Sequence, residues 1–264
     1  MHNFEYHLAA DPDAAGKTLA SAEDGKLMAG GMTLIPTLKQ RLAQPSDVID
    51  LGSIDGLKGI RKDGGSIVIG AMTCHFDVAS SEIVKSAIPA LADLAGGIGD
   101  PAVRHRGTIG GSIANADPAA DYPAAVVGLG ATIVTNKREI AGDEYFLGLF
   151  ETALDDGEII TAVKFPVPKK AHYQKFRHTA SGYAVVGVMV AQTADGVRVG
   201  VTGAGPNAFR ASPFEAALNK DFSAAAVEGI SQSADGMLSD IHFSGEYRAH
   251  IVGVFVRRAL AAMA

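Results

Sequence analysis

Apolar and polar positions follow two different rhythms along this chain, and the change falls near residue 170. Before it, strand-like and helix-like stretches alternate. Residues 26–29 form a short apolar run, a glycine turn follows, a helical stretch runs to about Leu42, and "DVIDLG" reads as a strand. That succession predicts a small βαβ-like unit. Pro36 is tolerated only in a first helical turn, which places the helix start within a few residues of the glycines. "GIRKDGGSIVIG", residues 59–70, carries apolar runs on both sides of Asp63-Gly64-Gly65 and predicts a hairpin. Apolar spacing predicts helices over about 73–80 and 88–95.

Residues 96–130 are too rich in glycine and proline for a continuous helix or a central strand, and predict a long ordered loop. The loop enters a helix near Asp121, with Pro123 in the first turn and Gly130 at the end. "ATIVTN" and "EIITAVKFPV" are the next strands, and Pro166 and Pro168 mark a boundary. Beyond it the pattern becomes strand after strand: "HYQKFRH", "YAVVGVMVAQT", a turn at Ala194-Asp195-Gly196, then "VRVGVTGAG". Helical patterns at about 210–218, 224–231 and 246–263 complete an antiparallel sheet backed by helices. In the last of these, Val252, Phe255, Val256, Leu260 and Met263 form a core-facing stripe.

Composition narrows the function classes. The 264 residues, 47% hydrophobic and 20% charged, suffice for one large domain or two to three small ones. A net charge of −6 and the lack of a long Lys/Arg run argue against nucleic acid and anionic membranes as partners. Cys74 is the single cysteine, which excludes an internal disulfide and any cysteine-built zinc or iron–sulfur site within this chain. The N-terminal stretch lacks a signal-peptide pattern, and no segment approaches the ~20 apolar residues of a membrane span. The expectation is an unprocessed cytoplasmic protein without a transmembrane segment.

The glycines cluster, and two pairs stand out: Gly30-Gly31 with Thr33 nearby, and Gly110-Gly111 between Thr108 and Ser112. Successive glycines can point consecutive N–H groups into one concavity, so two such loops could clasp one pyrophosphate. The alternative is a pair of tight turns that spare Cβ clashes. Neither pair has G-x-G-x-x-G spacing or the Lys-Ser/Thr of a P-loop, which disfavours the usual nucleotide folds.

Longer strings around these pairs carry a family resemblance. "AGGMTLIPTLKQRLAQPSDVIDLG" and "RHRGTIGGSIANADPAADYPAAVVGLGATI" resemble the two FAD signatures of the FAD-binding medium subunit of molybdenum hydroxylases. This is the carbon monoxide dehydrogenase medium-chain and xanthine dehydrogenase FAD-subunit family. "FEYHLAADPDAA", "KFRHTASGYAVVGV", "VTGAGPNAFRASPFEAAL" and "SGEYRAHIVGVFVRRAL" extend the resemblance over essentially the whole chain. It implies an α+β protein with an FAD-binding domain of the vanillyl-alcohol-oxidase (PCMH) type over 1–168, in subdomains of about 1–55 and 56–168. A smaller carbon monoxide dehydrogenase flavoprotein-like C-terminal domain, antiparallel sheet plus helices, follows over 169–264.

By the same resemblance, Ala29, Gly30, Gly31, Met32, Thr33, Leu34 and Pro36 wrap the FAD pyrophosphate and its neighbourhood from one side. Thr108, Ile109, Gly110, Gly111 and Ser112 do so from the other, Ser112 standing where some members carry an acidic residue. Asp121 falls near the ribityl or ribose hydroxyls, as an acceptor suited to sugar O–H donors. Asp117 is a second candidate, although an Asp before Pro118 also suits a turn. Lys175 and Tyr183 lie in the flavin-facing segment, the lysine to stabilise negative charge on the reduced ring and the tyrosine to cover its face. Against that stands a plain edge-strand lysine and a half-buried tyrosine.

The implied function is electron transfer. A large molybdopterin subunit oxidises substrate, [2Fe-2S] clusters of a small subunit relay electrons to FAD in this chain, and an external acceptor takes them. The assembly implied is a dimer of heterotrimers. Two alternatives are a stand-alone FAD-dependent oxidase of the same superfamily and a non-redox nucleotide-binding or assembly protein. The scattered histidines offer no metal spacing, and His178 with Ser181 lacks the elbow and carboxylate of a hydrolase. No catalytic residue and no metal ligand is assigned to this chain.

Overall fold

The structure, a computed structural model, describes residues 1–264 and has the α+β architecture expected. Its N-terminal part is a βαβαβ unit: β1 (Glu5–Leu8), α1 (Pro12–Ser21), β2 (Gly25–Met28), α2 (Leu34–Lys39) and β3 (Asp47–Asp50). The strands are parallel in the order β1-β3-β2. Sequence reading finds β2, α2 and β3 but not the first two elements. Tyr6 and Leu8 of β1 are exposed, so this strand lacks the usual inward apolar alternation. Helix α1 starts where Asp11 accepts from the N–H of Ala14 at 2.7 Å and Pro12 takes the first position.

A second, antiparallel sheet pairs, in this order, β4 (Ile60–Asp63), β5 (Ser66–Gly70), β10 (Ile160–Pro166), β6 (Thr132–Thr135) and β7 (Glu139–Ala141). Its first hairpin joins β4 (Ile60–Asp63) to β5 (Ser66–Gly70) through Gly64-Gly65, as predicted. Helices α3 (His75–Ser80), α4 (Glu82–Ala87) and α5 (Pro89–Gly96) follow. The 96–130 stretch departs from the expectation of a continuous loop. It contains α6 (Pro101–Arg104), capped by Asp100, and α7 (Ile109–Asn115), capped by Thr108, before α8 (Tyr122–Gly128). These side-chain caps offset the poor helix propensity of glycine in such short segments. Strands β6 (Thr132–Thr135) and β7 (Glu139–Ala141), the small hairpin β8 (Phe146–Gly148) and β9 (Glu151–Thr152), and β10 (Ile160–Pro166) complete this part.

The remainder is an antiparallel sheet of β11 (Lys170–Arg177), β12 (Ala184–Thr193), β13 (Gly196–Thr202) and β14 (Phe209–Arg210), with α9 (Ser212–Leu218) and α10 (Gly245–Ala262). The helix predicted over 224–231 is absent apart from a single 3₁₀ turn at Ala225–Val227. Gly229, at φ +76°, turns the chain away immediately afterwards. β12 is buried on both faces: Met189 and Ala191 share a core with Val126 and Val127 of α8, while Val186, Val188 and Val190 pack with Val252 and Val256 of α10. α8 lies so close to β12 and β13 that a Cβ on Gly128 would sit 2.9 Å from that of Met189. At the other end of α8, Asp121 meets β11 through Tyr173 and Lys175.

Candidate functional site

The two glycine pairs meet. A Cβ on Gly30 would lie 2.6 Å from the carbonyl carbon of Arg106, and one on Gly111 would lie 3.4 Å from the Cβ of Ala29. Gly30 is therefore required by backbone-on-backbone packing between the loops. Gly31 has φ +74°, and a Cβ there would press within 2.6 Å of Ile35 Cδ1. Gly110 is buried against Ala71, whose Cβ would be 2.6 Å from an added one.

The pairs do not play the equal parts that the sequence suggests. In the second loop the donors from Ile109 to Ser112 are already committed, and only the buried Thr108 N–H donates to no protein acceptor: Ile109 N–H donates to Thr73 O at 3.1 Å, Gly110 N–H to Ala71 O at 2.8 Å and Ser112 N–H to Thr108 O at 3.0 Å. Gly111 N–H donates to Thr108 Oγ1 at 3.1 Å, the cap of α7. In the first loop the N–H groups of Ala29, Gly30, Gly31, Met32 and Thr33 donate to no protein acceptor. Nearly all buried backbone donors in a folded chain are paired, so five consecutive free ones, half-buried from Ala29 to Gly31 and exposed at Met32 and Thr33, form a concavity where an external group can accept. Leu34 opens α2, and Pro36 lies exposed in its first turn.

A second group of predicted residues gathers at the end of β11. Asp121, 4% exposed, accepts from Lys175 Nζ at 2.8 Å and from the hydroxyl of Tyr173 at 2.6 Å. Burial pushes the Asp121 carboxyl up, and the Lys175 ammonium pulls it back. Lys175 also donates to Gly97 O at 3.3 Å, just beyond the C-terminal end of α5, where a cation is favoured. Asp121 thus serves its protein partners directly, and Lys175 is no plain edge-strand lysine. Tyr173 escaped sequence reading; the available signal is its spacing of two from Lys175, which puts both on one face of β11. Arg177, two residues further, donates to Gly99 O at 2.7 Å.

Asp117 accepts from the N–H of Ala119 at 2.8 Å in a short turn, and burial raises its carboxyl pKa. Tyr183 follows the β11–β12 turn and is 43% exposed; partial burial and the nearby carboxylates of Asp117 and Asp121 raise its hydroxyl pKa. Ser112 is half-buried and Thr33 exposed. Behind Gly107 lies a pair that sequence reading also missed. His75 and Tyr122 have ring centroids 5.4 Å apart, and neither His75 Nδ1 nor the Tyr122 hydroxyl has a hydrogen-bond partner. Burial and the neighbouring Arg104 charge push the His75 pKa down to about 4. His178 serves its own turn, accepting at Nδ1 from the N–H groups of Ala180 and Ser181. No group of acidic, histidine or cysteine side chains is arranged to hold a metal ion, and no helix is long and apolar enough to cross a membrane.

Comparison with known proteins places this geometry in context. Residues 2–168 match the family model for the FAD binding domain in molybdopterin dehydrogenase, and residues 171–263 match that for the CO dehydrogenase flavoprotein C-terminal domain. The carbon monoxide dehydrogenase medium chain of Hydrogenophaga pseudoflava is 34% identical, over 98% of this chain and 96% of its own. The nicotine 6-hydroxylase medium subunit of Paenarthrobacter nicotinovorans is 35% identical, over 97% and 95%. The solved structure of reconstituted CO dehydrogenase from Oligotropha carboxidovorans superposes with a TM-score of 0.89 at 32% identity, covering 99% of both chains. With both domain models matched and relatives aligned end to end, the chain belongs to the family of FAD-binding subunits of molybdopterin dehydrogenases.

Proposed function

We propose that this chain is the FAD-binding electron-transfer subunit of a molybdenum-containing hydroxylase, receiving electrons from [2Fe-2S] clusters of a small subunit and delivering them to an external acceptor. The observation that carries this reading is the run of five uncommitted N–H groups from Ala29 to Thr33 at the crossing of the glycine loops. Such a run suits a pyrophosphate and needs no basic cluster, which agrees with a chain of net charge −6. Bound FAD supplies the redox chemistry, accepting electrons one at a time and releasing them singly or in pairs.

Each part of the site then has a task. Ala29 to Leu34 and Pro36 hold the pyrophosphate side, with Gly31 at positive φ opening the turn. Ile109 to Ser112 support them from behind, since their own N–H groups are committed to protein, and Thr108 adds one free N–H beside them. Lys175, held by Asp121, whose other oxygen accepts from Tyr173, is a fixed cation that would stabilise negative charge on a reduced ring. Asp117 and Tyr183 line the same approach. Residues 1–168 hold the cofactor, in subdomains of about 1–55 and 56–168, and 169–264 form the second domain. A chain with one cysteine cannot supply the clusters, so a small iron–sulfur subunit and a large molybdopterin subunit are its partners, in a cytoplasmic dimer of heterotrimers.

The deciding experiment is the visible spectrum of the chain, purified alone and with neighbouring subunits, before and after adding FAD. Flavin bands with FAD released on heating are the expected result. A protein that stays colourless in both forms would overturn the reading in favour of a non-redox role, and substrate turnover by the isolated chain would favour a stand-alone oxidase.

A further inference from the structure

We infer that Arg248 and Thr202, both outside the site itself, are positioning residues that set the loop carrying Asp117 and Asp121 together with Tyr183. The inference rests on the reading of the site given above. Arg248 projects from α10 and is 7% exposed. Its Nη1 donates to Val185 O at 2.7 Å and Gly203 O at 2.8 Å, its Nη2 to Asp240 Oδ2 at 2.6 Å, and its guanidinium lies 5.8 Å from the centre of the Phe243 ring. One nitrogen, Nη1, gives an N–H to each carbonyl, while Nη2 of the same rigid plane is anchored on Asp240, so the guanidinium holds Nη1 between the two carbonyls, which a flexible ammonium without the second nitrogen does not.

Those two carbonyls belong to the neighbouring ends of β12 and β13. Gly203 takes φ +81°, and a Cβ on it would lie 2.6 Å from Val185 O, so the close approach of the strand ends depends on this glycine. The same ends grip the loop before α8. Gly203 N–H donates to Pro118 O at 2.7 Å, and Ala184 N–H to Ala119 O at 3.1 Å. Thr202 Oγ1 lies 2.8 Å from Pro118 O and 2.7 Å from Ala120 O, its one proton shared between them. Three successive carbonyls, 118 to 120, are thereby held by the C-terminal sheet.

The residues at the two ends of this short grip are Asp117 and Asp121, and the residue before Ala184 is Tyr183. A shift at Gly203 or Val185 therefore moves the carboxylate that holds Lys175 and the exposed tyrosine together. Arg248 sits on the far side of the sheet from α8, so it acts on the site only through these strand ends.

The test uses the full chain with four variants: Thr202→Val, Thr202→Ser, Arg248→Lys and, as a direct probe of the site, Lys175→Met. Thermal midpoint, FAD dissociation constant from flavin fluorescence, and flavin reduction potential are read for each. Thr202→Val is expected to weaken FAD binding about tenfold, the equivalent of one buried hydrogen bond. It should also move the potential in the same direction as Lys175→Met, and Thr202→Ser, which keeps the hydroxyl, should restore both. Arg248→Lys keeps the charge but loses the planar second nitrogen that anchors the head on Asp240, and should shift both quantities in the same sense. If Thr202→Val and Arg248→Lys lower the thermal midpoint but leave affinity and potential unchanged, while Lys175→Met moves them, the two residues are structural only and the inference fails. If Lys175→Met also leaves both unchanged, the reading of the site itself fails.

Discussion

Gly30 and Arg106 meet backbone to backbone, so that the first glycine loop lies directly on the carbonyl of the residue that opens the second. No side chain can be inserted there. Gly30→Ala is expected to cost about 2–3 kcal/mol, in the range of overpacked sites, and to abolish FAD retention because the loops are forced apart. Gly56→Ala is the control: nothing lies within 4 Å of an added Cβ, and its stability should stay within about 0.5 kcal/mol of the parent. Urea unfolding of the two variants, followed by FAD titration, separates them. Equal behaviour would mean that the loops do not cross as described.

Gly31→Val and Gly111→Val should both lose FAD while keeping a folded C-terminal sheet, for two different reasons. Valine at φ +74° is strained and presses on Ile35, which displaces the free N–H groups. At position 111 an added Cβ lies 2.9 Å from Thr108 Oγ1, the acceptor that caps α7, and the branched side chain disrupts that cap. Flavin retained by both variants would remove the case for a site built on the two loops.

What was legible in the sequence follows from how each element is buried. The β4–β5 hairpin, β12 and α10 carry clear periods because each buries a whole face, and α10 shows the stripe of Val252, Phe255, Val256 and Leu260 in its core. β1 was hidden because Tyr6 and Leu8 face solvent, and α6 and α7 because glycine and proline mask short helices whose caps only the folded chain reveals. At the site, the glycine pairs were readable, but their division of labour was not. Whether an N–H is free depends on carbonyls such as Ala71 O and Thr73 O, some forty residues upstream and silent in any motif. Tyr173 was invisible for the same reason: its meaning depends on Asp121, fifty-two residues away.

The Asp121–Lys175 pair makes a quantitative prediction. Removing one member leaves an uncompensated buried charge, so Asp121→Ala should cost about 3–5 kcal/mol. Adding Lys175→Met to Asp121→Ala removes the orphaned ammonium and should recover much of that loss. A double-mutant cycle in urea reads the coupling directly. Strict additivity of the two single losses would show that the 2.8 Å contact is incidental.

His75 should give the protein an acid-sensitive contribution that starts to fall at pH 6.5, before the carboxylates titrate. Its pKa is about 4 in the folded chain against 6.5 ordinarily, because burial and Arg104 disfavour the charged form. The folded state therefore keeps His75 neutral where the unfolded chain takes up a proton. The sign follows from that difference: the contribution is fully present above pH 6.5, declines as pH falls and is lost by about pH 4. With a shift of that size its span is roughly 3 kcal/mol. His75→Phe preserves the ring against Tyr122 and loses no hydrogen bond at Nδ1, which has none. Urea midpoints measured at pH 7, 5.5 and 4 should fall steeply for the parent and more gently for the variant, because the other titrating groups are common to both. Parallel curves would show that the imidazole is not held neutral, and would place water or another donor beside its free nitrogen.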